Sequence, residues 1–312
     1  MTELRELAQG GVLLTARAIE AGWGRHRLNR HLCRDGWVPL RRGAWGEPGR
    51  EVDLGLRLRA VQLGKPHLVA SHRSAAALHG IELLNEGERA REGHQKLEFI
   101  DVTKKGRPTG LRLHHMSLHA GDVLRGGGGL LHTSAARTVA DLLRQGPRDE
   151  ALVATESALT PRTLPWGPRP ALVELREVDY ALAAPGIRGS RRALKWLNLA
   201  NLAAQSPAET VARLRIHEAD LHPETGVVLH VPGGRRRYPD FFFRSAGLVV
   251  EIEGYRWHGS RQAHRADMAR FNELIRCPGV RYVLRYGAAH VFWRPQEMIA
   301  EIRRTLAASP SA

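Results

Sequence analysis

Residues 248–254, LVVEIEG, place two carboxylates inside an otherwise apolar stretch. The alternation predicts a buried strand, with Glu251 and Glu253 on one face and Val250 and Ile252 on the opposite face. Burying a carboxylate costs several kcal/mol unless it is paired or bound to a metal ion. This strand must therefore lie at a site that compensates negative charge.

The elements before this strand supply further polar groups. Ser206 and Pro207 are typical of a helix start, with Glu209 at the third helical position. Two strands, 227–231 and 235–243, are predicted around a Gly-Gly turn. Asp240 ends the second of them, so an antiparallel meander would bring it close to the acids of LVVEIEG.

Carboxylates that converge in this way suit Mg²⁺, with Mn²⁺ as a substitute. Arginines surround them in the sequence and would hold a phosphodiester. The pattern predicts metal-dependent phosphodiester hydrolysis, in which the ion polarises the phosphoryl group and activates a water molecule. The arginines concerned are Arg235, Arg236, Arg237, Arg256, Arg261, Arg265 and Arg270.

Five strings over residues 206–306 occur in an order that is typical of one family. They are SPAETVARL, YPDFFF, GLVVEIEGYRWHG, ADMARFNEL and VRYVLRYG. This part of the chain resembles the endonuclease-like domain family related to the very-short-patch repair endonucleases of the PD-(D/E)XK superfamily. The resemblance implies a restriction-endonuclease-like mixed sheet flanked by helices over residues 206–308, and a Mg²⁺-dependent endodeoxyribonuclease.

The same resemblance implies roles for individual residues. Glu209, Asp240 and Glu251 would bind the metal, and Glu253 would be a second acid of the catalytic set. His258 would act as a general base or as the acid for the leaving group. The wider superfamily often carries Lys where this chain has Glu253, so another group must neutralise charge in the transition state, or the site is degenerate.

Structural interpretations compete with these roles. Glu209 could serve only to cap its helix, at a value of about 1 kcal/mol. Glu251 and Glu253 could pair with Arg265 and Arg270 as a structural network. Arg285, on the predicted strand VRYVLRY, could reach a phosphate.

The first 50 residues predict three short helices followed by a β-hairpin, the arrangement of a winged helix. Residues 25–35 form the third helix, with Leu28 and Leu32 on its apolar side. In a winged helix this element enters the DNA major groove. The basic residues expected to contact DNA are Arg25, Arg27, Arg30 and Arg34 on the helix and Arg41 and Arg42 on the wing; a solvated basic helix is the alternative.

Residues 10–46, with a Gly-Val start, a basic helix and a Gly-Trp-Val wing ending in Arg-Gly-Ala-Trp, resemble the winged helix of AbiEi-type antitoxins of type IV toxin–antitoxin systems. This resemblance implies an alternative function, a non-catalytic DNA-binding regulator or antitoxin. A toxin or another defence-system protein would then be its partner.

The middle of the chain gives weaker patterns. Residues 51–145 predict an α+β scaffold, with strands at 97–103 and 111–118 and a helix capped by Ser134. Residues 146–205 predict a helical region with a proline-rich linker at 161–170. The histidines here are not expected to bind metal, because His114 and His115 would point to opposite faces of a strand.

The net charge of +15 argues for a polyanionic partner. DNA is favoured over a membrane, since no stretch of about 18 apolar residues occurs. The N-terminus lacks the apolar core of a signal peptide, so we expect a cytoplasmic protein. Cys33 and Cys277 are expected to be buried reduced thiols, and the sequence indicates no oligomeric state.

Overall fold

The structure is a computed structural model that describes residues 3–84, 96–103, 110–185, 187–253 and 261–309, with only the backbone of 261–267. Helices and mixed sheets make it an α/β protein, as the sequence predicts. The helices are α1 Leu4–Leu7, α2 Thr15–Glu20, α3 Arg25–Arg34, α4 Leu54–Gln62, α5 His72–His79, α6 Ala135–Gln145, α7 Arg148–Leu159, α8 Leu175–Ala183, α9 Ser190–Leu197, α10 Pro207–Glu218, α11 Arg261–Ile275, α12 Ala288–Trp293 and α13 Pro295–Ala308. The strands are β1 Val12–Leu14, β2 Val38–Arg41, β3 Ala44–Gly46, β4 Leu68–Ala70, β5 Leu97–Asp101, β6 Leu111–His114, β7 Val123–Arg125, β8 Leu131–Thr133, β9 Arg162–Leu164, β10 Gly167–Arg169, β11 Leu229–His230, β12 Arg236–Arg237, β13 Phe241–Phe243, β14 Leu248–Glu253 and β15 Tyr282–Gly287.

The chain divides into two compact units. The first comprises Met1–Gly146 with Leu172–Lys195, and the second comprises Pro147–Ala171 with Trp196–Ala312. Each unit therefore contains two separate stretches of chain. The four-segment division with boundaries at 50, 145 and 205 stays a prediction.

The N-terminal part of the first unit contains three short helices and an antiparallel sheet of order β1-β3-β2. Leu28 and Leu32 of α3 are buried in its core, which explains the apolar side of that helix. One local expectation is wrong. Cys33 is exposed, because it lies off the side of α3 that carries the two leucines.

The rest of the first unit is built on a five-stranded mixed sheet of order β6-β5-β4-β8-β7. Strand β5 runs antiparallel to β4 and parallel to β6, with Ile100 opposite His114. The predicted strands at 97–103 and 111–118 are thus present in shortened form. Ser134 caps α6 as predicted, since its Oγ accepts from the Arg137 N–H at 3.3 Å.

The second unit contains a three-stranded mixed sheet of order β13-β14-β15. Strand β14 occupies the centre, antiparallel to β13 and parallel to β15, and its apolar residues are buried. The expected single strand at 235–243 is instead two: β12 pairs with β11, and β13 pairs with β14. Pro239, which cannot donate to a ladder, lies in the break.

The proline-rich segment at 161–170 is not a linker. It forms the hairpin β9–β10, in which Pro168 pairs with Thr163 on a two-stranded ribbon. Proline is tolerated there because both strands of such a ribbon are edges. Among the described helices, none is both long and apolar enough to span a bilayer.

Candidate functional site

The predicted acidic residues lie around the central strand of the second unit. Asp240 directly precedes β13, and its Oδ2 accepts from the Ile252 N–H of β14 at 2.6 Å. Glu251, on β14 itself, is 7% exposed. The antiparallel pairing of β13 with β14 therefore brings Asp240 to the strand that carries Glu251.

Glu209 enters the cluster from α10. Ser206 caps this helix by accepting from the Glu209 N–H at 3.2 Å, and Pro207 is the first helical residue, as predicted. The Glu209 Oε2 accepts from the Gln205 N–H at 2.7 Å. In this conformation Glu209 thus bonds to the backbone at the start of its helix. Its negative charge also repels those of Asp240 and Glu251.

The three acids repel one another. Burial, followed by the charges of Glu209 and Glu251, raises the pKa of Asp240 to about 8. Burial also raises the pKa of Glu251, which Arg270 partly opposes, and burial raises the pKa of Glu209. A cluster of this kind favours a proton or a cation in the space that the carboxylates share.

One carboxylate oxygen of the cluster has the surroundings expected of a metal ligand. Glu251 Oε1 is buried and has no hydrogen-bond partner among the described residues. Glu209, Asp240 and Glu251 do not bring one oxygen each within 4.8 Å of one another in the part of the chain that is described. The described conformation therefore does not gather all three acids around one ion, and Glu209 would have to exchange its contact with Gln205 to join Asp240 and Glu251 at a cation.

Arginines neutralise part of this charge. Arg270 of α11 contacts Glu251 Oε2 at 2.8 Å and donates to the Tyr238 carbonyl at 3.1 Å. The expected structural pairing of Glu251 with Arg270 is thus present. Arg237 binds the buried carboxylate of Glu273, so the predicted phosphate contact by Arg237 would require that ion pair to open.

Glu253 lies at the exposed end of β14, apart from the buried acids. Its carboxylate pairs with Arg285 of β15 at 2.5 Å, rather than with an arginine of α11 as the structural alternative had it. Arg285 also stands opposite Glu251 in the strand register and lies over the Phe271 ring. The structure therefore separates the two glutamates of β14: Glu251 is in the cluster and Glu253 is at its rim.

Four residues predicted for the site are not tested by the structure. His258 and Arg256 lie outside the described residues, and only the backbone of Arg261 and Arg265 is described. Their roles in catalysis and phosphate binding stay predictions.

A buried network that the sequence analysis missed holds α10 in position. Glu156 of α7 is fully buried and accepts from the Arg213 guanidinium, from the Thr210 hydroxyl and from the Asn201 N–H. Thr210 directly follows Glu209 in sequence, so this network positions the helix turn that carries Glu209. No local pattern links residue 156 to residue 213, and the pairing appears only in the fold.

The arginines predicted to bind DNA at the N-terminus lie on exposed surface of α3. Arg25, Arg27 and Arg30 are exposed, and Arg34 is exposed and pairs with Asp35 at 2.9 Å. On the hairpin, Arg42 is exposed and Arg41 is half-buried. These side chains are accessible to solvent, and their contact with DNA stays a prediction.

A second polar cluster, also missed, lies in the first unit. His72, Glu98 and His114 are all buried and offer one ligand atom each within 4.8 Å of one another. Burial and the neighbouring positive charge of His114 hold the pKa of His72 well below its usual value. Sequence spacing missed it because the three residues come from α5, β5 and β6.

Comparisons with known proteins do not decide between these sites. The sequence matches no protein-family model and no curated protein. The case for a function therefore rests on the residues and their geometry.

Proposed function

We propose that the chain is a Mg²⁺-dependent DNA endonuclease whose site is the acid cluster of Glu209, Asp240 and Glu251. The observation that carries this proposal is the grouping of three acids around one strand, where Glu251 is buried with its Oε1 unpartnered among the described residues and the pKa of Asp240 is raised to about 8. Arrangements of this type favour a divalent cation, because the ion offsets the repulsion that the fold maintains.

In this proposal Asp240 and Glu251 hold the ion, and Glu209 completes the set when it exchanges its contact with Gln205. The ion, when bound, polarises the phosphoryl group and lowers the pKa of the attacking water. Arg270, which balances Glu251 in the described conformation, would be released to contact the scissile phosphate if a cation neutralised that carboxylate. Glu253 stays at the rim, paired with Arg285.

DNA binding would use two basic surfaces. The exposed arginines of α3 supply contacts to the backbone of the duplex, and Arg270 and Arg285 supply contacts near the acid cluster. The chain's net charge of +15 supports a polyanionic substrate. We propose that the protein acts on DNA in the cytoplasm.

The test is plasmid cleavage by the full-length protein in Mg²⁺ and in Mn²⁺. Asp240→Asn and Glu251→Gln preserve size and remove the ligand charge, so we expect each to lower the cleavage rate at least about 100-fold. Glu297→Gln, on the exposed face of α13, is the matched control and should cleave as the wild type does. Equal cleavage by all four proteins would assign the activity to a contaminant and refute the proposal.

A second function, a DNA-binding regulator of antitoxin type, has its own support. Glu251 is already balanced by Arg270, and Glu209 already serves its helix terminus, so the acids have partners without a metal. This candidate predicts wild-type protein that shifts DNA in a gel yet never cuts it with either ion. Co-purification with a toxin encoded beside it would then identify the partner.

A further inference from the structure

The buried cluster of the first unit has the composition of a metal site. His72 is the first residue of α5, Glu98 lies on β5 and His114 ends β6. They are 3%, 4% and 8% exposed. Two imidazoles and a carboxylate are the ligand set that borderline transition metals such as Zn²⁺ accept, with further positions left for water.

The sheet register explains how the three side chains meet. His114 stands opposite Ile100 on the parallel strand β5, and Glu98 shares a face with Ile100 because it lies two residues before it. The Glu98 N–H donates to Ser74 Oγ of α5, and the Glu98 carbonyl accepts from the Ser71 N–H. These bonds fix the start of α5, and with it His72, next to Glu98.

The hydrogen bonds of His114 leave a gap that a cation would fill. Its Nδ1 lies 2.9 Å from Gln145 Oε1, an acceptor, so Nδ1 carries the proton. Gln145 Nε2 faces the Met116 sulfur, which supports this orientation of the amide. The other ring nitrogen, Nε2, lies 2.8 Å from Glu98 Oε2, a second acceptor. Either a second proton or a metal ion must lie between that nitrogen and that oxygen.

His72 offers the third ligand atom. Its Nδ1 contacts Ser71 Oγ at 3.0 Å, whereas its Nε2 is buried and lacks a hydrogen bond of good geometry among the described residues, although the Gln145 side chain also interacts with the ring. Metal-binding histidines often use their second ring nitrogen in this way, to anchor the ring on a neighbouring polar group. Ser71 and Gln145 occupy that anchoring position for the two histidines.

We propose that His72, Glu98 and His114 bind one divalent transition-metal ion, with Zn²⁺ as the first ion to test. Ligand bonds of about 2.1 Å at a tetrahedral angle separate two ligand atoms by roughly 3.4 Å, so the 2.8 Å contact between His114 and Glu98 needs to open by about 0.6 Å. The rings of His72 and His114 are stacked with centroids 3.5 Å apart, and they must rotate away from each other to direct one nitrogen each at the same ion. The bound ion would tie α5 to both strands.

The experiment uses full-length protein without an affinity tag, stripped with a chelator and desalted. Zn²⁺ affinity is measured by competition with a chromophoric chelator, and Co²⁺ reports ligand geometry through its visible bands. We expect one tight equivalent in the wild type, with Co²⁺ bands of a four- or five-coordinate ion. Affinity should fall at least about 100-fold in Glu98→Gln and in His114→Ala, and about tenfold in Gln145→Ala.

Two controls make the result specific. His115→Ala removes the exposed neighbour of His114 and should keep the tight site, which separates it from loose binding by surface histidines. Asp240→Asn should also keep it, which separates it from the acid cluster of the second unit. Zn²⁺ should raise the melting temperature of the wild type and not that of Glu98→Gln, a nearly isosteric change that leaves the fold intact.

Tight binding that survives both Glu98→Gln and His114→Ala would overturn the proposal. So would wild-type protein that binds neither ion more tightly than these variants do. In that second case the occupant is a proton, and the cluster is a buried imidazolium–carboxylate pair.

Discussion

Replacing Asp240 by Asn should stabilise the metal-free protein, even though it should abolish metal binding. The fold keeps Asp240 beside Glu209 and Glu251, and burial together with these charges raises its pKa from 3.8 to about 8. Asparagine removes one of the three charges. Its amide oxygen can still accept from the Ile252 N–H, the bond that Asp240 Oδ2 now accepts.

The size of the effect follows from linkage between protonation and folding. A rise in pKa from 3.8 to about 8 corresponds to at most about 6 kcal/mol of less favourable ionisation in the folded state. Asp240 is only half-buried, so water screens part of this penalty. We expect about 1–3 kcal/mol of stabilisation by Asn at pH 8.5.

The raised pKa of Asp240 also determines how the stability of the wild type changes with pH. Between about pH 4 and pH 8 the folded wild type retains a proton on Asp240 that the unfolded chain has released, so its stability falls as the pH rises. Above about pH 8 both states are ionised and the penalty is constant. The advantage of Asn over Asp should therefore be small at pH 4.5 and largest above pH 8.

Urea unfolding in EDTA at pH 4.5 and at pH 8.5 measures this difference, with Glu297→Gln as the control whose stability should change by only a few tenths of a kcal/mol. Adding Mg²⁺ at pH 8.5 should stabilise the wild type and leave Asp240→Asn unchanged. A variant that is less stable than the wild type at pH 8.5, or a gap that does not grow with pH, would refute the reasoning about mutual repulsion.

Three further predictions concern other parts of the chain. Glu156→Ala should lower the free energy of unfolding by about 3–5 kcal/mol in urea titrations, since it leaves Arg213 buried without its counter-charge; an effect below about 1 kcal/mol would contradict the proposed support of α10. Gly247→Ala should cost about 1–3 kcal/mol in the same assay, because Gly247 has φ +63° and a Cβ there would meet the Gly279 carbonyl oxygen at 2.5 Å; a neutral substitution would show that this turn relaxes. Arg30→Ser should weaken binding to unrelated DNA sequences equally and reduce the salt slope of the logarithm of affinity by about 1, and an unchanged slope would place DNA elsewhere than on α3.

Local patterns predicted the helices and strands that depend only on residues close together in the sequence. The alternation in LVVEIEG predicts β14, and the Ser-Pro pair predicts the start of α10, because a strand face and a helix cap depend on a few neighbouring residues. The split of RRRYPDFFF into two strands was not predicted, since only the partner strands show where each half pairs.

The contacts that position the site were the hardest to predict. Residues 156 and 213 lie far apart in sequence and share no motif, yet they form one buried ion pair. Alternation along a strand, which separates the side chains of His114 and His115, is visible in the sequence. The register of β6 against β5, which brings His114 to Glu98, is not.

The network around Glu156 has a consequence for how this protein can be divided. A fragment that begins at residue 206, where the family resemblance starts, would contain Arg213 and Thr210 but lack α7. Its α10 would lose the helix that supplies the counter-charge for Arg213 and would expose side chains that are buried in the intact chain, so such a fragment should aggregate or be digested rapidly by proteases. Fragments that begin at residue 147 retain the whole second unit. The hundred residues that contain the acid cluster therefore do not form an independent folding unit. A gene fusion that transferred the cluster to another protein would have had to include α7.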